Sequence, residues 1–249
     1  MADGIEYLLW RHELADGRVT TLYAVRHPVA STRSRVVHFP GTVRLDVWCA
    51  AHEVDEAIIG GFFLRDPYRP LGDLWIDGSP VPHEPIAGPY AARRACVVVD
   101  DGTARVASRD DAPAEPDGDL LHAGPLLVRD GVVAFEDGVD LEGFSAGAGQ
   151  FDSDITDGRH PRAAIGVSDE DLYLVTCDGR RSGVDAGLTL EELADFMLVL
   201  GCRDAMNLDG GGSTTLVHRG HLLNRPYSEQ DQPAPASRPI VTALVLEAR

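Results

Sequence analysis

Long apolar runs are missing from this chain. None approaches the ~20 residues a helix needs to cross a bilayer, so no membrane-spanning helix is expected. The opening residues, MADGIEYLLWRHELADG, have no basic stretch followed by an apolar core and do not read as a signal peptide. Cysteine is scarce: Cys49, Cys96, Cys177 and Cys202 lie far apart with no CxxC pair, the pattern of reduced structural thiols, and a cytoplasmic location is expected. Positive charge is short too, 22 basic side chains against 40 acidic ones for a net charge of −18. Such a field repels nucleic-acid backbones and anionic membranes, so neither is an expected partner. An anionic ligand would have to be captured by a local cluster of arginines. The nine histidines show no HExxH or comparable zinc spacing, and no metal or cofactor is expected.

What is present is an ordinary globular balance, 44% hydrophobic and 25% charged over 249 residues, without a composition shift that would divide the chain. One domain over 1–249 is expected. Short β-branched runs at 18–26, 92–108, 124–135 and 171–180 read as strands, and Asp101-Gly102 and Asp130-Gly131 read as hairpin turns. Helices are expected over 43–55 and over 189–201. In the second, Thr189 and Glu192 have capping-box spacing, Leu190, Leu193, Ala194, Met197 and Leu198 follow a helical period, and Gly201 supplies the stop. Segments 109–119 and 228–239, rich in Pro and Asp or Pro and Ser, read as loops. Many hairpins and few helices point to an α+β fold on a largely antiparallel, twisted sheet.

The most informative stretch is DAMNLDGGGSTTLV, 204–217. AMNL reads as a short buried strand that delivers Asp209 at its end. Three consecutive glycines are costly to order, and a hairpin needs only one or two. Gly210, Gly211 and Gly212 would let several backbone N–H groups turn toward one point, a nest suited to phosphate, with Ser213 and Thr214 adding hydroxyls. A carboxylate beside such a site is unfavourable unless it acts on a neighbouring proton, water or sugar carbon.

NLDGGGSTTLV resembles the signature of the phosphodiester glycosidase family. AIIGGFF (57–63), HAGPLLVRDG (122–131), HPRAAIGV (160–167), LYLVTCDGRRSG (172–183) and LLNRP (222–226) are similar to further blocks of that family, in its order, so the resemblance spans about 57–246. It implies hydrolysis of a sugar 1-phosphodiester at the glycosidic C1–O bond, on an N-acetylglucosamine-like or related sugar; the expected cytoplasmic location, not the resemblance, points to an intracellular small molecule or biosynthetic intermediate as substrate. Glycoside cleavage generally uses two carboxylates about the anomeric carbon. Asp209 is the first choice for the essential one and Asp178, in an Asp-Gly-Arg context, the second. Arg162 and Arg238 are the phosphate-clamp candidates, because a guanidinium pairs bidentately with phosphate oxygens. Asn207 and Asn224 would orient groups through their amides, and Gly60 and Gly61 would bring backbone close to the substrate. The expected partner is the small-molecule sugar phosphodiester; assembly into a homo-oligomer stays open.

Ile59 stands where the family block carries Asn, which motivates a rival reading as a non-catalytic sugar-phosphate-binding protein. His122, just before AGP, is a candidate to replace the lost polar contact. SRPI (237–240) keeps the arginine of the family's Glu-Arg-Pro-Val but not the carboxylate. DSDITDG (152–158) fails as a calcium loop because its third Asp falls at position 6, where an EF-hand needs Gly. Cys177 has no histidine near it in its motif and reads as a buried thiol rather than a nucleophile.

Overall fold

Alternation of side chains across a strand decides the architecture, because most strands here are apolar on both faces and each face must be covered. In the computed structural model, which describes residues 4–134, 139–145, 155–225 and 237–249, three antiparallel sheets supply that cover. The largest has seven strands in the order β1 (Glu6–Glu13), β2 (Val19–Pro28), β15 (Asp171–Cys177), β14 (Arg162–Val167), β16 (Asp204–Asn207), β12 (Leu126–Arg129) and β13 (Val132–Val133). A five-stranded sheet runs β10 (Thr103–Ser108), β9 (Ala95–Asp100), β11 (Asp119–His122), β7 (Leu74–Ile76) and β8 (Ser79–Pro80). A second five-stranded sheet runs β18 (His221–Leu222), β17 (Leu216–His218), β4 (Glu56–Ile59), β19 (Ile240–Ala248) and β3 (Thr32–Val43). A small hairpin, β5 (Phe63–Arg65) with β6 (Tyr68–Pro70), stands apart from all three.

The two faces of the seven-stranded sheet have different partners. Tyr23, Val25, Ala163, Ile165, Leu174 and Met206 join the main core shared with the two five-stranded sheets. Their neighbours Leu22, Ala24, Ala164, Val175 and Ala205 point the other way, onto helix α2 (Leu190–Val199), which contributes Leu190, Leu193, Ala194 and Met197. A side chain at Gly166 would collide with Met197 and Cys202, so the absent Cβ sets how closely α2 approaches β14. The other helix, α1 (Leu45–His52), buries Leu45 and Cys49.

The expected helices are both present, and α2 carries the capping box: Thr189 Oγ1 accepts from the Glu192 amide at 3.1 Å while Glu192 Oε2 accepts from the Thr189 amide at 2.9 Å. Asp101-Gly102 and Asp130-Gly131 form the expected hairpins with positive φ at both residues, 44° and 73°, then 51° and 75°. The antiparallel expectation holds, but the α+β class does not describe the molecule well. The two short helices among the described residues leave it mostly β, because the inner faces of the sheets are covered by one another rather than by helices. Segment 109–119 is loop between a 3-10 turn at Arg109–Asp111 and the first residue of β11, and it is anchored by Arg109, whose guanidinium donates to Asp73 and to the carbonyls of Pro113 and Ala114. Most of 228–239, and residues 152–154 of the calcium-like stretch, lie outside the described residues.

A buried polar knot joins two of the sheets away from the glycine loop. Glu56 at the start of β4 accepts from His218 Nδ1 at 2.8 Å and from the Arg219 amide, and His27 Nε2 of β2 lies 3.6 Å from its carboxylate. Burial, reinforced by the His218 charge, pushes His27 down to about 4.

Two predictions come from this packing. A Cβ at Gly61 would overlap the His122 carbonyl oxygen, so Gly61→Ala should lower stability by about 1–3 kcal/mol in urea unfolding. His27 takes up a proton more readily unfolded than folded, so its contribution to stability is full above pH ~6.5 and is lost as pH falls toward 4. Wild type should therefore lose stability relative to His27→Gln across that window, by up to about 3 kcal/mol, in urea melts at several pH values.

Candidate active site

Strand β16 ends at Asn207, and the chain then crosses from one sheet to another. The Leu208 amide still bonds to the Ala163 carbonyl of β14, but the Asp209 amide donates to the Gly60 carbonyl at the end of β4, at 3.0 Å. Gly60 and Gly61 are held in turn by Thr242 of β19, whose carbonyl accepts from the Gly60 amide at 3.0 Å and whose Oγ1 accepts from the Gly61 amide at 3.1 Å. A Cβ at Gly60 would lie 2.5 Å from that hydroxyl oxygen, so only glycine fits.

The half-buried Asp209 carboxylate accepts from the Gly210 amide at 2.9 Å and from the buried Ser213 hydroxyl. Arg238 reaches the same hydroxyl, its Nη1 3.5 Å from Ser213 Oγ. Burial raises the Asp209 pKa to about 6 against these hydrogen bonds and the charges of Arg238 and Arg65. The glycines make room for arginines. A Cβ at Gly212 would stand 2.7 Å from Arg238 Nη2, and one at Gly211, where φ is +59°, 3.1 Å from both terminal nitrogens of Arg180.

This geometry replaces the expected amide nest. The Gly211 amide donates to the Pro161 carbonyl at 2.8 Å, the Ser213 amide to Gly210 and the Thr214 amide to Gly211, closing a tight 3-10 turn. With the Gly210 amide on Asp209, four of the five amides from 210 to 214 are already engaged. Most of the loop's N–H groups are thus engaged by the protein's own acceptors, and the guanidiniums of Arg180 and Arg238 pack against its backbone.

Asp178 follows β15 just as Asp209 follows β16. Both strands are antiparallel to β14 between them, so the two carboxyl-bearing ends emerge on the same edge, about 10 Å apart along the sheet. Asp178 is 1% exposed and accepts from Tyr23 Oη at 2.9 Å and the Arg225 amide at 2.7 Å. Burial, with some help from the Asp185 charge, raises it to about 6 as well. Each carboxyl is raised by its own desolvation, and neither is among the charges acting on the other.

Other expected residues are placed differently. Arg162, between the two acids on β14, directs its guanidinium into the carbonyls of Leu188, Ile155 and Gly158 at 3.0–3.2 Å, so it braces backbone and its donors do not point to a phosphate. Asn207 donates to the Gly124 and Leu208 carbonyls, and Asn224 bridges the Thr214 carbonyl and the Leu216 amide, so both orient the protein's own loops. Thr214 turns a buried hydroxyl inward with no hydrogen-bond partner among the described residues. Ile59 is fully buried in the main core. His122 is buried, its Nδ1 accepts from the Asp73 amide at 2.8 Å, and burial lowers it to about 4.

Sequence reasoning missed Arg180, Arg65 and Glu142. Arg180 was visible in the DGRR block, where its positive φ of 59° turns the chain toward the glycine loop. Glu142 gave no local signal. Its buried carboxylate accepts the Ala95 and Leu126 amides, and burial lifts it to about 7. A Cβ at Gly124, whose carbonyl holds Asn207, would stand 2.6 Å from Glu142 Oε2. Among the described residues, no group of three or more His, Cys, Asp and Glu side chains is arranged to hold a metal ion.

This largely antiparallel framework recurs in solved structures. The catalytic domain of zebrafish N-acetylglucosamine-1-phosphodiester alpha-N-acetylglucosaminidase, auto-inhibited by its pro-peptide, superposes with a TM-score of 0.72 at 24% identity, over 98% of this chain and 83% of that one. A hypothetical protein from Synechocystis gives 0.70 at 19% identity, over 99% and 62%. At these identities the likeness establishes the fold alone. The model of the phosphodiester glycosidase family matches residues 52–247, and the chain belongs to that family. It is 30% identical over 171 residues to the mouse N-acetylglucosamine-1-phosphodiester alpha-N-acetylglucosaminidase, and 33% over 148 residues to the SPbeta prophage-derived uncharacterized protein YomE of Bacillus subtilis (strain 168). Those matches cover 67% and 55% of this chain but only 32% and 20% of the relatives, so the chain spans a third of their length or less.

The Asp209 environment is open to direct titration. Its carboxyl carbon should titrate near pH 6 by NMR, and Arg238→Gln, which removes a cation that favours the charged form, should move that midpoint upward.

Proposed function

We propose that this chain hydrolyses the glycosidic C1–O bond of a sugar 1-phosphodiester, with an N-acetylglucosamine-like sugar, to free sugar and a phosphomonoester. The observation that carries the reading is the join of Asp209, Ser213 and Arg238 on a glycine turn that also admits Arg180. The phosphate would sit against the two guanidiniums, which offset its charge as the C1–O bond lengthens and the bridging oxygen leaves with phosphorus. Asp209 is then beside the anomeric carbon as nucleophile or base, and Asp178, at the neighbouring strand end, is the second carboxyl. Water supplies a hydroxyl to C1 and a proton to the departing phosphate. Family membership and the mouse relative's named activity support this reading. Four buried free cysteines are consistent with a cytoplasmic setting and an intracellular small-molecule substrate, which we propose as the finer reading.

The rival, binding without catalysis, rested on Ile59. Ile59 packs in the hydrophobic core where the family block carries Asn, and the assay of turnover against binding separates the two readings.

Wild type and Asp209→Asn should be compared on N-acetylglucosamine 1-phosphodiesters, including UDP-N-acetylglucosamine, with released sugar as readout. The expected result is turnover that falls at least about a hundredfold in the variant. In ¹⁸O water the label should appear on the sugar. Label on phosphate would mean P–O cleavage and would overturn the proposal, as would phosphodiester binding with no turnover in wild type.

A further inference from the structure

Immediately after Gly60 and Gly61 the chain forms the β5–β6 hairpin, outside the three large sheets. Its register pairs Phe63 with Pro70, Leu64 with Arg69 and Arg65 with Tyr68. Side chains alternate across a strand, so Phe63, Arg65, Tyr68 and Pro70 share one face and Leu64 and Arg69 the other. The second face is tied down: Arg69 Nη1 lies 3.7 Å from Glu84 Oε2, and the Glu84 amide donates to the Pro70 carbonyl at 2.8 Å.

The first face carries Arg65 and Tyr68, and the chain leading into it is bonded to the Asp209 backbone. Gly60, three residues before the hairpin, accepts the Asp209 amide, and the Arg65 charge acts on the Asp209 carboxylate. Tyr68 is the direct cross-strand neighbour of Arg65, which puts their Cβ atoms about 5 Å apart. Its ring centroid is 6.2 Å from that of Phe63, so the ring leans on the hairpin, yet Tyr68 remains 55% exposed. An aromatic surface thus stands next to a cation at the rim of a site that already offers Arg180 and Arg238.

We propose that this hairpin is the subsite for the group on the far side of the phosphate, with Arg65 contacting a phosphate oxygen and Tyr68 stacking on an aromatic or heteroaromatic ring of the esterified alcohol. The substrate class is then a sugar phosphodiester whose second ester carries a planar ring, as a nucleoside does, rather than a small aliphatic alcohol. The proposal rests on the reading of the Asp209 site as a sugar-phosphodiester site. Stacking of a base on an aromatic side chain corresponds to a gain of about fivefold or more in affinity.

The test uses N-acetylglucosamine 1-C-phosphonates, in which a carbon replaces the glycosidic oxygen so that nothing can be cleaved, as phenyl and methyl monoesters. Wild type should bind the phenyl ester at least about fivefold more tightly than the methyl ester. Tyr68→Ala should abolish the difference, and Tyr68→Phe should keep it. Equal affinities in wild type, or a preference that survives Tyr68→Ala, would overturn the subsite. Sugar release from the corresponding phosphodiesters by wild type is scored separately. A ring preference without release counts against hydrolysis and supports the subsite, whereas release without ring preference does the reverse.

Discussion

The hydrogen bond from the Asp209 amide to the Gly60 carbonyl joins the end of β16 in the seven-stranded sheet to the end of β4 in a five-stranded one. The third sheet meets them at the next residue, where the His122 carbonyl at the end of β11 closes on the Gly61 backbone. Three sheets therefore converge on two residues, and that convergence is possible only without side chains. Close packing makes such a junction stiff, since a shift in one sheet must be taken up by the other two. The backbone that carries the Asp209 carboxyl is consequently held by the β framework, while the carboxyl itself is surrounded by Gly210, Ser213, Arg238 and Arg65.

Burial and charge are balanced at this place in an unusual way for so acidic a chain. All 22 of its basic side chains are arginine, and the sequence contains no lysine. Arginine keeps its charge where an ammonium would readily give up its proton, and its planar fork can be satisfied by carbonyls as well as by anions. Burial pushes Arg94 and Arg162 down to about 10, still well above neutrality, and both donate to backbone carbonyls that fix loops around the site. Arg180 and Arg238 instead lie against glycine backbone beside Asp209. The same residue type serves as brace and as candidate anion ligand, and only its surroundings distinguish the two roles.

That division explains what could be read from the chain. Turns and caps were legible because their causes are local: Asp-Gly at 101–102 and 130–131, Thr189 with Glu192, and Gly201 after the last turn of α2. The strand delivering Asp209 was legible from AMNL and its glycine stop. Strand β19 was not, since IVTALVLEA is apolar but for Thr242 and Glu247 and shows no period that separates strand from helix. Strand β3 is interrupted in sequence by Pro40-Gly41, which imitates a turn. At the candidate site, the motif singled out Asp209, Asp178 and Arg238, but the direction of a guanidinium depends on which carbonyls lie within reach. Arg162 sits in a motif block and faces Leu188, Ile155 and Gly158, and no pattern in HPRAAIGV encodes those partners. Glu142 was invisible for the same reason, its two amide partners being 47 and 16 residues away.

The three glycines were first read as a device for exposing amides, and the geometry assigns them a different task. Gly210 is pressed against Pro161, Gly211 adopts a left-handed conformation under Arg180, and Gly212 lies under Arg238. Each position excludes a Cβ because something else occupies its space. An amide nest would hold phosphate through fixed partial charges and could sit in any electrostatic background. Guanidiniums bring full charges, which a chain of net charge −18 needs if it is to draw an anion toward a carboxylate. Together with the Ser213 hydroxyl, Arg238 and Arg65 also hold Asp209 below the pKa that burial alone would give it, so a cation placed to meet phosphate also favours the charged form of the neighbouring carboxyl.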